Sequence, residues 1–453
     1  MSFNLGPTRL HKHIPGLEPS LAIYSLLLLN FVAASAIALS TFNYFRQRSQ
    51  DAQPRGCRKI GMRVQSNLTD EYDNCYHVPP KTQLTGISNP QTVPKVKSLW
   101  VYPVKSCAGI ELERGTVVTT GMEYDRLFCF AQLKSPFPVS LDTPISEKSR
   151  HQWEFITQRR FGSMTLIKTE VWVPDPASPT YSTEHPEVQS GGVLVIRYPS
   201  IADTGFWGTL SNLWVTIGGS ASEKVVHVPL SPTAEQSKKN GFVMEEMKIW
   251  KDTPMCLNLG TTIVPNSKSF LEELQLLIGC TNPLALFRIT PEHTREVYRC
   301  APRKEALGWQ PRVAFGDAYP LHIMNLASVR DLGTKVQGGP PQLSVRRFRP
   351  NIIFTGPEAY SEDSWKRIQI GGADYHVSCR TVRCLLPNVD PITGERHPSE
   401  PNRALKSFRR IDEGDIKNAC IGMQMVPAGE ESQIKVGDVI EVLETGDHYY
   451  IRQ

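Results

Sequence analysis

The sequence predicts a mainly β protein, built of β-barrel domains with a few helices (α+β overall), behind an N-terminal transmembrane helix. Three observations lead there. The 453 residues hold 35 prolines and 32 glycines among many Val, Ile, Thr and Tyr, a mixture that favours short strands and turns over long helices. Apolar residues recur in short runs bounded by glycine or charge. Residues 21–42, LAIYSLLLLNFVAASAIALSTF, carry no charge at all. At ~1.5 Å per residue, a helix of that length crosses the ~30 Å hydrocarbon core of a bilayer.

Taken in order, residues 1–20 form a short tail and 21–42 the anchor. Arg9 and Lys12 precede the apolar run, whereas Arg46, Arg48, Arg55, Arg58, Lys59 and Arg63 follow it. That excess places the C-terminal side in the cytosol. A cleaved signal peptide is the competing reading, because Ala36 and Ala38 suit a peptidase. The run is long for an h-region, however, and cations come after it. Under that alternative Asn67-Leu68-Thr69 becomes a glycosylation acceptor. Residues 43–93 are polar, proline-rich and aperiodic, which reads as a linker.

Strands are expected from Pro94 onward: 96–103, 115–121, 126–131, 164–168, 193–197 and 213–217. They make a first β-barrel-like domain over 94–245, with 174–192 as a loop insertion. Ser269–Ile278 is the best helix, with Ser269 and Glu272 in capping-box spacing and Gly279 as a stop. Strands resume at 321–324, 351–354, 368–370, 375–378 and 436–443, with a short helix near 328–332. These form a second β domain over 246–453.

A net charge of +5 is mild for this length and argues against nucleic acid as the main partner. The ten cysteines are scattered without a repeated spacing, so they read as reduced thiols of a cytosol-facing protein. Neither a Gly-rich phosphate loop, a His-Glu-x-x-His nor a Gly-x-Ser-x-Gly is present. What stands out is Ser378-Cys379-Arg380-Thr381-Val382-Arg383-Cys384. The cysteines could be a redox pair, half a zinc knuckle, or two buried thiols. Arg380 and Arg383 favour a further option, a thiolate at Cys384. Pro387 follows, so Cys384 stands where a strand breaks into a loop, while Cys379 reads as packing. Three basic spots accompany it. Lys105 and Ser106 follow Pro103, Arg126 opens a strand, and Arg346, Arg347 and Arg349 precede another. Each alone is most often a solvated turn.

Six segments in one order give these spots a joint meaning: VKSLWVYPVKSCAGIEL (96–112), MEYDRLFCFAQ (122–132), RRFRPNIIFTG (346–356), EDSWKRIQIGG (362–372), RTVRCLLPNVDPITGE (380–395) and IKVGDVIEVL (434–443). Together they resemble the MOSC proteins with their N-terminal β-barrel, and within them the amidoxime-reducing type. The resemblance covers roughly 94–445 and thins between about 165 and 245, where the chain carries extra sequence. It implies a molybdenum cofactor (Mo-molybdopterin of the Cys-ligated type), with Cys384 as the metal ligand. It implies cofactor contacts from Lys105, Ser106, Arg126, Arg349 and Arg383. Asp317-Ala318-Tyr319-Pro320 falls where the family has Asp, two small hydroxyl residues and a proline. Side-chain contacts at Ala318 and Tyr319 are therefore in doubt, backbone contacts less so. Asp317 is a candidate polar residue near the metal that could, like water, relay protons.

The activity implied is reduction of N-hydroxylated compounds, namely amidoximes, hydroxylamines and N-oxides. No flavin, haem or Cys-x4-Cys-x2-Cys motif is present, so electrons are expected from cytochrome b5 and NADH-cytochrome b5 reductase, the family's usual partners. By the same analogy the anchor belongs in the mitochondrial outer membrane, with the endoplasmic reticulum as the other option. The rival function is a cofactor carrier or sulfur-transfer module, as in molybdenum cofactor sulfurases. Those need a large PLP-binding domain upstream, where this sequence reads as anchor and linker. A cofactor-free scaffold is the third reading.

Overall fold

Short alternating segments pair here through long-range ladders rather than hairpins alone. The computed structural model describes residues 23–35, 37–38, 53–80, 93–135, 142, 144, 146, 150–199, 223–262, 269–339 and 342–451. The chain divides into two units, Met1–Pro54 and Arg55–Gln453. In the first, residues 23–35 and 37–38 are helical with mostly exposed apolar side chains such as Leu29 and Phe31. They are the described part of the anchor expected over 21–42. Among the described residues no helix is long and apolar enough to cross a membrane.

The second unit is mainly β with few helices. Its largest sheet has eight strands in the order Ile440–Thr445, Trp365–Ile370, Ala373–Arg383, Ala419–Pro427, Leu321–Asn325, Ile352–Thr355, Lys95–Val101 and Ile110–Leu112. All neighbours are antiparallel except Leu321–Asn325 with Ile352–Thr355. That parallel pair needs a crossover, and the helix Leu326–Lys335 supplies part of it, capped by Asn325 on the Ala327 amide. The two halves of the sheet curl towards each other, since Val96 and Gly437 exchange bonds with Asp438 and Val96 at 2.9 and 2.8 Å. A separate closed barrel joins Val243–Lys248, Met255–Thr261, Leu284–Arg288, Phe128–Lys134 and Gln152–Phe155. The strand Phe128–Lys134 is buried on both faces, as Phe128, Cys129, Phe130 and Ala131 are each fully buried in succession, whereas Val243–Lys248 is mostly exposed.

Several expectations meet a different structure. The boundary between 245 and 246 falls inside the barrel strand Val243–Lys248. Lys95–Val101 and Ile110–Leu112 belong to the sheet built mostly from later strands. The two expected halves are thus interleaved. Residues 55–80, expected within a polar linker, lie on the fold: Cys57–Lys59 pairs with Lys168–Pro174. Leu68 enters a core cluster, and buried Glu71 accepts from Ser344 Oγ at 2.8 Å and the Val345 amide at 3.0 Å. The strand expected at 164–168 is a 3-10 turn, Gly162–Leu166, followed by the strand Lys168–Pro174. Thr165 Oγ1 bonds the Gly162 carbonyl at 3.1 Å, a local bond that competes with pairing. The single strand expected over 436–443 is a turn leading into Ile440–Thr445, with Asp438 Oδ2 accepting from the Lys435 amide at 2.9 Å. The insertion 174–192 joins the paired strands Lys168–Pro174 and Val193–Pro199 and carries one helical turn, Pro186–Gln189. The helix Ser269–Ile278 forms over the expected residues. The strand expected at 213–217 lies outside the described residues.

Candidate functional site

Cys384 stands at the end of the strand Ala373–Arg383, just before the 3-10 turn Leu386–Asn388, with its side chain exposed. Pro387 stops the strand there, because it lacks the amide a ladder needs. The sulfur accepts the Leu386 amide at 3.4 Å and Arg159 Nε at 2.9 Å. Asn402 Nδ2 donates to the Cys384 carbonyl at 3.1 Å and fixes the turn.

Arg159 is the residue that sequence reasoning missed. It comes from the loop after the barrel strand Gln152–Phe155, and its Nη2 donates to Asp317 Oδ2 at 2.5 Å. Lys105 Nζ donates to Asp317 Oδ1 at 2.6 Å and to the Phe315 carbonyl at 2.7 Å. Burial alone would raise the Asp317 carboxyl, but Arg159 and Lys105 outweigh it and hold it well below the usual carboxylate range. Asp317 is therefore an anion at neutral pH. It accepts hydrogen bonds and has no proton of its own to give, which sets a limit on the relay expected of it.

Part of the remaining lining, two of its cations included, is presented by strained backbone. Ser106, Arg126 and Arg349 have φ of 69°, 52° and 53°, left-handed values that cost a non-glycine residue about 1–2 kcal/mol. Three such residues around one cavity mark a chain bent to aim its groups. Arg126 pairs with Asp125 and donates to the Arg349 carbonyl at 3.2 Å. The guanidiniums of Arg126 and Arg349 lie 4.8 and 4.0 Å from the Tyr102 ring. Arg383 Nη2 donates to the Phe348 carbonyl at 2.9 Å. Burial brings Arg349 and Arg383 down to about 10, so both stay charged at neutral pH.

Arg380, expected to support Cys384, instead pairs with Asp412 at 3.2 Å and the His448 carbonyl at 2.9 Å. A register shift between Arg380 and Val382 redirects the strand, a change that spacing does not reveal. Cys379 is fully buried and no disulfide links it to Cys384. It lies with Cys300, Tyr319 and Val426 in a small cluster. Tyr319 is buried, and burial together with the neighbouring Cys379 and Cys300 pushes its hydroxyl up.

Lys105, Ser106, Arg126, Asp317, Ala318, Tyr319, Arg349, Arg383 and Cys384, all named from the sequence, line one cavity of about 100 Å³. Arg159, Thr157, His322 and Asn351 join them. Five cationic side chains and a single carboxylate thus line the cavity, a balance that selects an anionic ligand. Three buried nitrogens there, Arg349 Nη2, Arg383 Nε and His322 Nε2, have no protein partner, and such groups require one. Burial together with Arg383 and Arg126 keeps His322 neutral. The cavity opens past Cys384 and Asp317 onto a cleft of about 1080 Å³. Among the described residues no three His, Cys, Asp or Glu side chains stand ready to hold a metal ion. A metal bound by Cys384 would bring its other ligands with it.

Two family profiles match: the MOSC N-terminal beta barrel domain over residues 93–202 and the MOSC domain over 310–441. The chain is 24% identical to mitochondrial amidoxime-reducing component 1 of Mus musculus over 362 residues, 78% of this chain and 83% of that protein. With the protein of that name from Danio rerio it shares 27% identity over 240 residues, 50% of this chain and 70% of the other. It is also 22% identical to the molybdenum cofactor sulfurase of Arabidopsis thaliana over 334 residues, 70% of this chain and 31% of that protein. With both domain profiles in sequence order and such relatives along most of its length, the chain belongs to the MOSC-domain proteins with an N-terminal MOSC barrel.

Proposed function

We propose that this protein is a molybdenum-cofactor-dependent reductase of N-hydroxylated compounds, with the Cys384 sulfur as metal ligand. The observation that carries the reading is the convergence of five cations and three unpartnered buried nitrogens beside one exposed thiol. A pyranopterin with a phosphate suits this donor set. Guanidinium forks from Arg126, Arg349 and Arg383 match phosphate oxygens, and His322 Nε2 and Ser106 offer neutral polar contacts. Lys105 would add charge on the pterin side, and the backbone of Ala318 and Tyr319 closes the rim.

The bound cofactor would supply the two-electron chemistry that removes oxygen from nitrogen. This chain's residues do the rest. Cys384, exposed where the cavity meets the cleft, would hold the metal where a small N-hydroxylated compound has access. Asp317, kept ionised by Lys105 and Arg159, fixes those two cations, Arg159 in contact with the sulfur that would hold the metal. Protons for the water released come from solvent in the cleft. Electrons come from a separate protein, and cytochrome b5 with its NADH-dependent reductase is the partner chain we propose. Residues 21–42 would tether the cytosol-facing enzyme to the mitochondrial outer membrane.

The second reading is a cofactor carrier or sulfur-transfer module, which the exposure of Cys384 and the likeness to the Arabidopsis sulfurase favour. One experiment decides. Purified full-length protein should contain stoichiometric molybdenum and reduce benzamidoxime to benzamidine with a supplied reductant. Metal-loaded protein that passes sulfur onward without such turnover would overturn the reductase.

A further inference from the structure

We propose that Arg159 is a positioning residue for the metal ligand, holding the Cys384 sulfur in place by a hydrogen bond and raising the reduction potential of the metal that this sulfur binds. The inference rests on the reading of Cys384 as the molybdenum ligand.

The geometry is specific. Nε and Nη2 are the two parallel donors along one edge of a guanidinium. Here that edge is divided between two acceptors, Nε to Cys384 Sγ at 2.9 Å and Nη2 to Asp317 Oδ2 at 2.5 Å. The Trp250 ring lies 5.0 Å from the guanidinium carbon. Trp250 itself is held at a left-handed φ of 56°, so the brace is aimed by strained backbone. Asp317 is anchored in turn by Lys105. Arg159 is therefore fixed on three sides, by an aromatic ring, a carboxylate and the sulfur. It also lines both the narrow cavity and the wide cleft. A lysine at this position keeps one charge but cannot present two parallel donors.

A donor on a coordinating thiolate draws electron density from sulfur and favours the more reduced metal, and the positive charge acts in the same direction. Hydrogen bonds to ligand sulfur are among the means by which proteins set metal potentials. Removing both the bond and the charge must make the potential more negative. Removing the bond alone must do so by less.

The test uses full-length holoprotein as wild type, Arg159→Gln and Arg159→Lys. Molybdenum content is measured by elemental analysis, and the metal couple is titrated while its Mo(V) resonance is followed. Expected are enough bound molybdenum in both variants to titrate, a more negative midpoint potential with an altered resonance in Arg159→Gln, and a smaller shift the same way in Arg159→Lys. Unchanged potential and resonance in loaded Arg159→Gln overturns the proposal. Should that variant bind no metal, Arg159→Lys decides alone: a negative shift supports the proposal, and an unchanged potential overturns it. Loss of metal from both variants with unaltered melting temperature also overturns it, assigning Arg159 to cofactor retention instead. The underlying reading fails separately, if Cys384→Ala keeps the wild-type resonance.

Discussion

At the scale of single residues, the two cysteines of Ser378–Cys384 have opposite characters, and substitution should separate them. Cys384→Ala is expected to abolish benzamidoxime reduction while leaving the melting temperature nearly unchanged, since the side chain is exposed. Cys379→Ala removes a fully buried sulfur and should cost about 1–2 kcal/mol of stability with turnover largely retained. Thermal melts and assays on both variants check this. Asp317 gives a pH prediction. Its carboxyl is held well below the ordinary range in the folded chain, so its contribution is present above the unfolded value and is lost as pH falls through the folded one. Asp317→Asn should therefore lower stability at neutral pH and show a shallower fall in acid than wild type. Equal acid limbs in the two proteins would contradict this. Most of the site was legible, because Lys105, Ser106, Arg126, Arg349, Arg383 and Cys384 each sit in a recognisable segment. Arg159 was not. Gln158-Arg159-Arg160 looks like an ordinary solvated turn, and nothing local tells which of two adjacent arginines meets a sulfur 225 positions away.

At the scale of elements, the periodicity of the chain identified fewer than half of the described strands: it missed Ala419–Pro427 and the barrel strands Gln152–Phe155, Val243–Lys248, Met255–Thr261 and Leu284–Arg288, and it gave neither partners nor turns. Ser269–Ile278 was legible because an amphipathic ten-residue run ends on a glycine. The segment 164–168 was not, since its hydroxyl and glycine neighbours choose a local turn over a ladder. Turns also control the site from a distance. Gly121, at φ 111°, lies where a Cβ would run into the Pro320 carbonyl, just after Asp317–Tyr319. Gly121→Ala should destabilise the protein by more than about 1 kcal/mol and lower molybdenum content, although residue 121 lines no part of the cavity. Denaturant unfolding and elemental analysis would reveal both effects; full metal content in the variant would show that the 315–320 loop is free to shift.

At the scale of the whole molecule, composition and segment order were enough to name a mainly β, MOSC-type chain. The interleaving was not legible, because register across strands more than 200 residues apart follows from packing. The consequence is that the candidate site draws on both matched domains, with Lys105, Arg126 and Arg159 from the first and Asp317, Arg349 and Cys384 from the second. The proposed tether belongs to this scale too. A form starting at Arg55 should retain benzamidoxime reduction with a chemical reductant. With a membrane-bound donor chain its rate should fall by about 10²-fold, the effective-concentration gain lost with a tether. Equal rates for both forms with that donor chain would argue that residues 1–54 serve another purpose.

Tyr102 has one consequence beyond its place in the core. Its ring is the common neighbour of two guanidiniums, and the electron-rich face of an aromatic ring softens the mutual repulsion of such groups. Two like charges can therefore stand side by side in the lining of the candidate cavity, with one phenol ring between them as a shared cushion.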